Sequence, residues 1–94
     1  MPHVIVRISF EDFAKWKSVF DEAQSMRKSY GSKGVRVFRN IEKPDQAVIV
    51  GEYEDLAQAR QMFQSQEFRE ATRRGGVSGP PEVTFLEDAG QLPA

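Results

Sequence analysis

Two stretches with helical spacing of apolar residues are interleaved with four short runs in which every second residue is apolar. The first run, residues 3–10, places Val4, Val6, Ile8 and Phe10 on one face of a predicted strand. The order strand-helix-strand-strand-helix-strand, with right-handed crossovers, is typical of an α+β ferredoxin-like fold. We therefore expect a four-stranded antiparallel sheet with both helices on one face.

The first helical stretch follows the first strand and is predicted to end at Gly31. Ser9 is expected to cap its first turn, and Gly31 suits the C′ position because glycine readily adopts a positive φ. Apolar residues recur through this stretch at the spacing that places them on one helix face. They are Phe13, Trp16, Phe20, Ala23 and Tyr30.

The middle of the chain is predicted to form a hairpin of two strands, residues 35–42 and 47–53. The turn between them, residues 43–46, contains Pro44, which fixes φ, and Asp45, which stabilises a tight reversal. Strands joined by so short a turn pair in the antiparallel direction.

The rest of the chain supplies the second helix and the last strand. Asp55 is expected to cap that helix, and the glycine pair at 75–76 to end it. Residues 82–87 read as a strand, whereas the tail 88–94 has little to bury and is expected to be flexible. We therefore expect a single domain, 1–94.

The composition argues against several classes of function. The net charge is -1, so the chain has no basic excess for binding nucleic acid. It has no Cys and a single His, so the sequence argues against a Cys- or His-based metal site. No apolar stretch approaches the roughly 20 residues of a membrane span, and no signal peptide is visible. We expect a cytoplasmic protein.

One face of the predicted sheet is left without helices. That face would carry Ile5, together with Val35 or Phe38 and Ile49 or Val50, depending on the register. A surface with several large apolar groups favours association. The sequence therefore predicts a homodimer in which two such faces pack together, rather than a monomer with a mixed polar face.

The aromatic residues are the first set of candidates for a binding site. In a cavity they would suit an aromatic or polyketide-like ligand, and otherwise they form the core. Trp16 and Tyr30 each carry a polar group that needs a partner when buried. The set is Trp16, Phe20, Tyr30, Phe38 and Phe63.

Three further candidates carry a titratable or cationic group. His3 has a suitable unperturbed pKa for a general base, or is a surface residue at the end of the strand. Arg7 and Arg39 could bind a carboxylate or enolate, or could pair with Glu52 or Glu42 across strands.

Three segments resemble the dimeric α+β barrel superfamily, in the branch described as antibiotic-biosynthesis-monooxygenase-like or cyclase-like. They are DFAKWKSVFDE (residues 12–22), GSKGVRVFRN (31–40) and GPPEV (79–83). The resemblance implies a dimer and a cofactor-independent monooxygenase or cyclase acting on an aromatic or polyketide-like compound. Family members often carry His where this chain has Ile8 and Ala23, at positions expected between sheet and helices.

Two other functions remain open. The absence of those two His residues favours a ligand-binding or interaction module without catalytic activity. The start of the chain, MPHVIV, resembles the tautomerase superfamily, in which removal of Met1 leaves Pro2 as the base. An amino-terminal amine has a pKa near 8 and can act close to neutral pH.

Overall fold

The computed structural model describes all residues 1–94, and its elements follow the predicted order. The strands are β1 (His3–Ser9), β2 (Ser32–Arg39), β3 (Gln46–Tyr53) and β4 (Glu82–Leu86). The helices are α1 (Phe13–Glu22), α2 (Gln24–Ser29), α3 (Leu56–Gln64) and α4 (Gln66–Arg74). The sheet is antiparallel, with the spatial order β2-β3-β1-β4. The predicted ferredoxin-like fold is confirmed.

The alternation in β1 correctly predicts which face is buried. Val4, Val6 and Ile8 are at most 7 % exposed, and they pack in one core with Trp16 and Met62. None of the four helices is long and apolar enough to cross a membrane.

The start of the first helix differs from the prediction. Asp12 is the N-cap, and its Oδ1 accepts a hydrogen bond from the Ala14 N–H at 3.0 Å. Ser9 is the last residue of β1, so its backbone belongs to the sheet and it cannot cap a helix that starts four residues later. The predicted cap of the second helix is confirmed, because Asp55 accepts from the Ala57 N–H at 2.8 Å.

Each of the two predicted helices is interrupted. Ala23, with φ -82° and ψ 9°, separates α1 from α2. Ser65 separates α3 from α4 with extended backbone angles, and its Oγ accepts from the Phe68 N–H at 3.1 Å. A serine side chain that bonds a nearby backbone N–H competes with the helix and serves as a new N-cap.

The second strand begins and ends three residues earlier than predicted, because a bulge between Ser32 and Gly34 lets pairing with β3 start at Ser32. Asn40 ends the strand, since its Oδ1 accepts from the backbone N–H groups of Glu42 and Lys43. Ile41, expected within the strand, therefore lies in the turn and is 97 % exposed.

The register decides which residues face away from the helices. Ile5 pairs with Val50 and Phe38 pairs with Val48, and directly paired residues share a face. Val35 and Ile49 contact the core on the other side. We call the helix-free surface the open face; its large apolar residues are Ile5, Phe38, Val48, Val50 and Leu86.

Candidate functional site

An apolar cavity lies between the sheet and the helices. The centre of a water molecule can reach a volume of about 70 Å³ inside it. A cavity of about 150 Å³ holds benzene, so an aromatic ring would enter this one only with small movements of the lining side chains. Sixteen of its nineteen lining residues are hydrophobic, so a ligand here would be held mainly by apolar contacts.

Aromatic rings form much of the cavity wall. Trp16 is stacked on Phe10 with ring centroids 5.4 Å apart, and its ring lies 5.0 Å from that of Phe20. Phe63 meets Phe68 edge to face at 5.0 Å. Of the predicted candidates, Trp16, Phe20 and Phe63 are brought together around this cavity.

Tyr53 places a phenol on the cavity wall. Its side chain is among the most buried in the protein, at 2 % exposure, and its hydroxyl donates to the Met62 Sδ at 3.8 Å. Thioether sulfur is a weak acceptor. Burial raises the pKa of Tyr53, so the phenol stays neutral near pH 7 and can donate a hydrogen bond to a ligand.

Arg27 places a guanidinium at the same cavity, with only 9 % of the residue exposed. Its Nη1 donates to the backbone carbonyl of Phe20 at 2.8 Å, and its Cζ lies 3.8 Å from the centroid of the Phe20 ring. No carboxylate forms an ion pair with it. Burial lowers the pKa of Arg27, but a guanidinium stays protonated in proteins.

A polar groove shares Phe20, Arg27 and Val35 with the cavity and opens to solvent. It contains one carboxylate, which belongs to Asp21. Its other charged side chains are all cationic, so the groove presents mainly positive charge. The cations are Lys17, Arg27, Lys28 and Lys33.

Two predicted candidates lie outside the cavity lining on the helix side of the protein. The Tyr30 hydroxyl donates to Glu67 Oε1 at 2.9 Å, and this hydrogen bond is the main reason that the pKa of Tyr30 is raised. Arg39 Nε donates to the carbonyl of Pro44 at 2.8 Å, and its Cζ lies 4.3 Å from the centroid of the Phe13 ring.

The other three candidates belong to the open face. His3 Nε2 lies 3.6 Å from Glu52 Oε2, and Arg7 is exposed. Phe38 is 45 % exposed there. Alternate residues of a strand point to opposite faces of the sheet. The sequence did not decide the face of Phe38, because that depends on the register of β2.

The cavity lacks the groups most suited to proton transfer. Ile8 and Ala23 both line it, as the resemblance implied, and neither an imidazole nor a carboxylate does. No group of three or more His, Asp or Glu side chains could hold a metal ion. Chemistry in the cavity therefore depends on hydrogen bonds, on positive charge and on the exclusion of water.

Sequence reasoning missed the two most polar groups of the cavity. Arg27 lies four residues after Ala23 and three before Tyr30, so its position on the apolar stripe was visible in the sequence. Tyr53 alternates with Gly51 and Ile49 on the helix side of β3. The position of the Arg27 cation within the apolar stripe was the sequence signal that this side chain faces the cavity.

The antiparallel sheet, its helical cover and the apolar cavity between them define an α+β protein with a small internal cavity. The family model for antibiotic biosynthesis monooxygenases matches residues 3–74, and the chain belongs to that family. No functionally curated protein matches the sequence.

Solved structures of low sequence identity share the fold. A protein from Bordetella bronchiseptica assigned to the same family is 21% identical, with a TM-score of 0.80, covering 94% of this chain and 96% of its own. The cofactor-independent oxygenase SnoaB from Streptomyces nogalater is 15% identical, with a TM-score of 0.78, covering 99% and 97%. These likenesses concern the fold alone.

Proposed function

We propose that the chain binds a small aromatic compound in the cavity and promotes its reaction with dioxygen without a cofactor. The observation that carries the proposal is the apolar, aromatic-walled cavity between sheet and helices. Family membership and the fold shared with a cofactor-independent oxygenase support the reaction class. The cavity volume limits the substrate to one inserted ring, accommodated by small movements of the lining side chains.

The proposed substrate carries a CH₂ group activated by the ring and loses a proton to give a resonance-stabilised anion. This anion reduces dioxygen, a C–O bond forms, and the resulting hydroperoxide loses water. The balance is CH₂ + O₂ → C=O + H₂O, in which carbon is oxidised and dioxygen is reduced. In this proposal the Tyr53 phenol, which belongs to a lining residue, donates a hydrogen bond to the developing oxyanion charge.

The proton must leave without help from a cavity base. Since no imidazole or carboxylate lines the cavity, the proposed acceptor is solvent water in the polar groove. The apolar walls then separate the anion from bulk water and leave dioxygen as its reaction partner.

A binding protein without catalytic activity is the second candidate. The specific observation in its favour is again the absence of an acid-base side chain from the cavity. The tautomerase alternative gains no such support, because Pro2 is not a lining residue and its carbonyl accepts a hydrogen bond from the Tyr53 backbone N–H.

We also propose that the protein is a homodimer joined through the open face. Ile5, Val48 and Val50 lie on the two central strands of that face and are half-buried in the isolated chain. Burying the apolar area of this face on both subunits would contribute about 25 cal/mol per Å² before the costs of association.

The oxygenase proposal predicts dioxygen consumption with suitable substrates. Wild-type protein with anthrone, whose CH₂ group is activated by the rings and the carbonyl, should form the quinone at least about tenfold faster than background, since positioned catalytic groups commonly give larger effects. An oxygen electrode and product analysis measure the rate. Ala71→Leu, which adds bulk to the cavity lining, should abolish the acceleration.

Ala57→Leu is the matched control, since Ala57 lies on an exposed helix surface and should leave the rate unchanged. Oxidation at the background rate, together with no ligand-induced rise in Tm, would contradict both binding and turnover. A rise in Tm without dioxygen consumption would select the non-catalytic alternative.

A further inference from the structure

We propose that Arg27 is the anion-binding group of the cavity and that the ligand is an aromatic compound bearing an anionic oxygen, such as a carboxylate, phenolate or enolate. This inference rests on the proposed function in one respect: it takes the cavity as the ligand site. It adds the charge of the ligand and the residue that recognises it.

The first argument is the unbalanced burial of Arg27. The residue is only 9 % exposed, and no carboxylate lies within ion-pair distance of it, although Asp21 attracts its charge from farther away. One hydrogen bond, to the carbonyl of Phe20, uses one of the five N–H donors of the guanidinium. No buried side-chain nitrogen lacks a hydrogen-bond partner, so the donors of Arg27 that are left free reach the solvent of the groove, where an anionic ligand can accept from them.

A purely structural role accounts poorly for this arginine. The carbonyl of Phe20 also accepts from the Ala23 N–H at 3.2 Å, so it stays hydrogen-bonded without Arg27. The guanidinium stacks on the Phe20 ring in a cation–π contact, and this stacking leaves the N–H donors at its edge available to a ligand.

The polar groove supplies a second, independent argument. Lys17 pairs with Asp21 at 2.8 Å and Lys33 pairs with Glu54 at 2.7 Å, whereas Lys28 and Arg27 have no acidic partner. The four cationic side chains of the groove therefore outnumber the two carboxylates, Asp21 and Glu54, that pair with them. A groove of this sign attracts anions, and it leads to the one guanidinium that also lines the apolar cavity.

The two halves of the site match the two halves of such a ligand. The rings of Trp16 and Phe63 offer apolar contact to an aromatic ring. The guanidinium offers a planar set of donors that carboxylates and related oxyanions accept in pairs. A neutral aromatic compound would satisfy only the first half.

The test compares benzoate with its neutral counterpart benzamide, titrated into ¹⁵N-labelled protein and followed by NMR chemical shifts. In the wild type, benzoate should bind at least about tenfold more tightly than benzamide, as expected for hydrogen bonds to a charged group. Arg27→Met should abolish this preference and leave benzamide binding unchanged. Arg27→Lys should retain part of it, because lysine keeps the charge but not the paired donors.

Lys43→Met is the matched control, since Lys43 is an exposed cation in the turn between β2 and β3 and lines neither the groove nor the cavity. It should change the benzoate Kd by less than about threefold, the effect of one exposed charge. The wild-type comparison stands even if a variant fails to fold.

Equal binding of benzoate and benzamide, or a preference that survives Arg27→Met, would overturn the inference and leave the proposed function standing. Failure of both compounds to bind would also overturn it. Benzoate binding that depends on Arg27, in a protein that consumes no dioxygen with any substrate, would support the inference and contradict the oxygenase proposal.

Discussion

Val50→Asp is expected to convert the protein from a dimer into a folded monomer. Val50 lies on a central strand of the open face, opposite Ile5. In a two-fold interface each substitution occurs twice, so two carboxylates would be buried without partners. With a penalty of several kcal/mol per ion, the dimer dissociation constant should rise by at least about a thousandfold.

Sedimentation velocity at micromolar concentration measures this change. The wild type should sediment at twice the chain mass of 10.7 kDa, and Val50→Asp at the chain mass, with an unchanged far-UV CD spectrum. Ile41→Asp is the control, because it also replaces a β-branched apolar side chain with a carboxylate, but at a turn position that is 97 % exposed. This variant should remain dimeric. A monomeric wild type would contradict the proposed interface.

Trp16→Ala is expected to lower the free energy of unfolding by about 3–5 kcal/mol, the range for removing a buried aromatic ring. Trp16 is 5 % exposed and its ring contacts those of Phe10, Phe13 and Phe20. The backbone also approaches it closely, since a Cβ on Gly75 would lie 3.1 Å from its Cδ1. For a domain with a total stability of about 5–15 kcal/mol this loss is severe.

Urea unfolding at a fixed protein concentration measures the loss. Leu92→Ala provides the control, because Leu92 follows the last strand and is 82 % exposed, and it should change stability by less than about 0.5 kcal/mol. A loss of under about 1 kcal/mol for Trp16→Ala would show that the ring is not a structural wall of the cavity.

Much of the fold was predictable because local patterns and the global fold agree. The alternation through β1 gave the buried face, and Asp55 gave the start of α3. The breaks at Ala23 and Ser65 were not predicted, since the apolar stripe continues across both and only the backbone angles reveal the interruption. Ile41 was misplaced because alternation alone does not show where a bulge shifts a strand.

The candidate site was less predictable than the fold. Trp16, Phe20 and Phe63 share helix faces that the stripe identifies, so their convergence follows from helical periodicity. Phe38 was ambiguous because a strand side chain changes face with a one-residue change of register. Arg27 was overlooked because a long cationic side chain is normally solvated, and its burial depends on how α2 packs.

The central claim is that the cavity between sheet and helices is the ligand site, and the four isoleucines allow it to be tested directly. Ile8 and Ile49 line the cavity, whereas Ile5 lies on the open face and Ile41 in the exposed turn. With ¹³C-labelled isoleucine methyl groups and saturating benzoate, intermolecular NOEs from the aromatic protons should reach Ile8 and Ile49 only. NOEs confined to Ile5 or Ile41, or none to any isoleucine, would contradict the account.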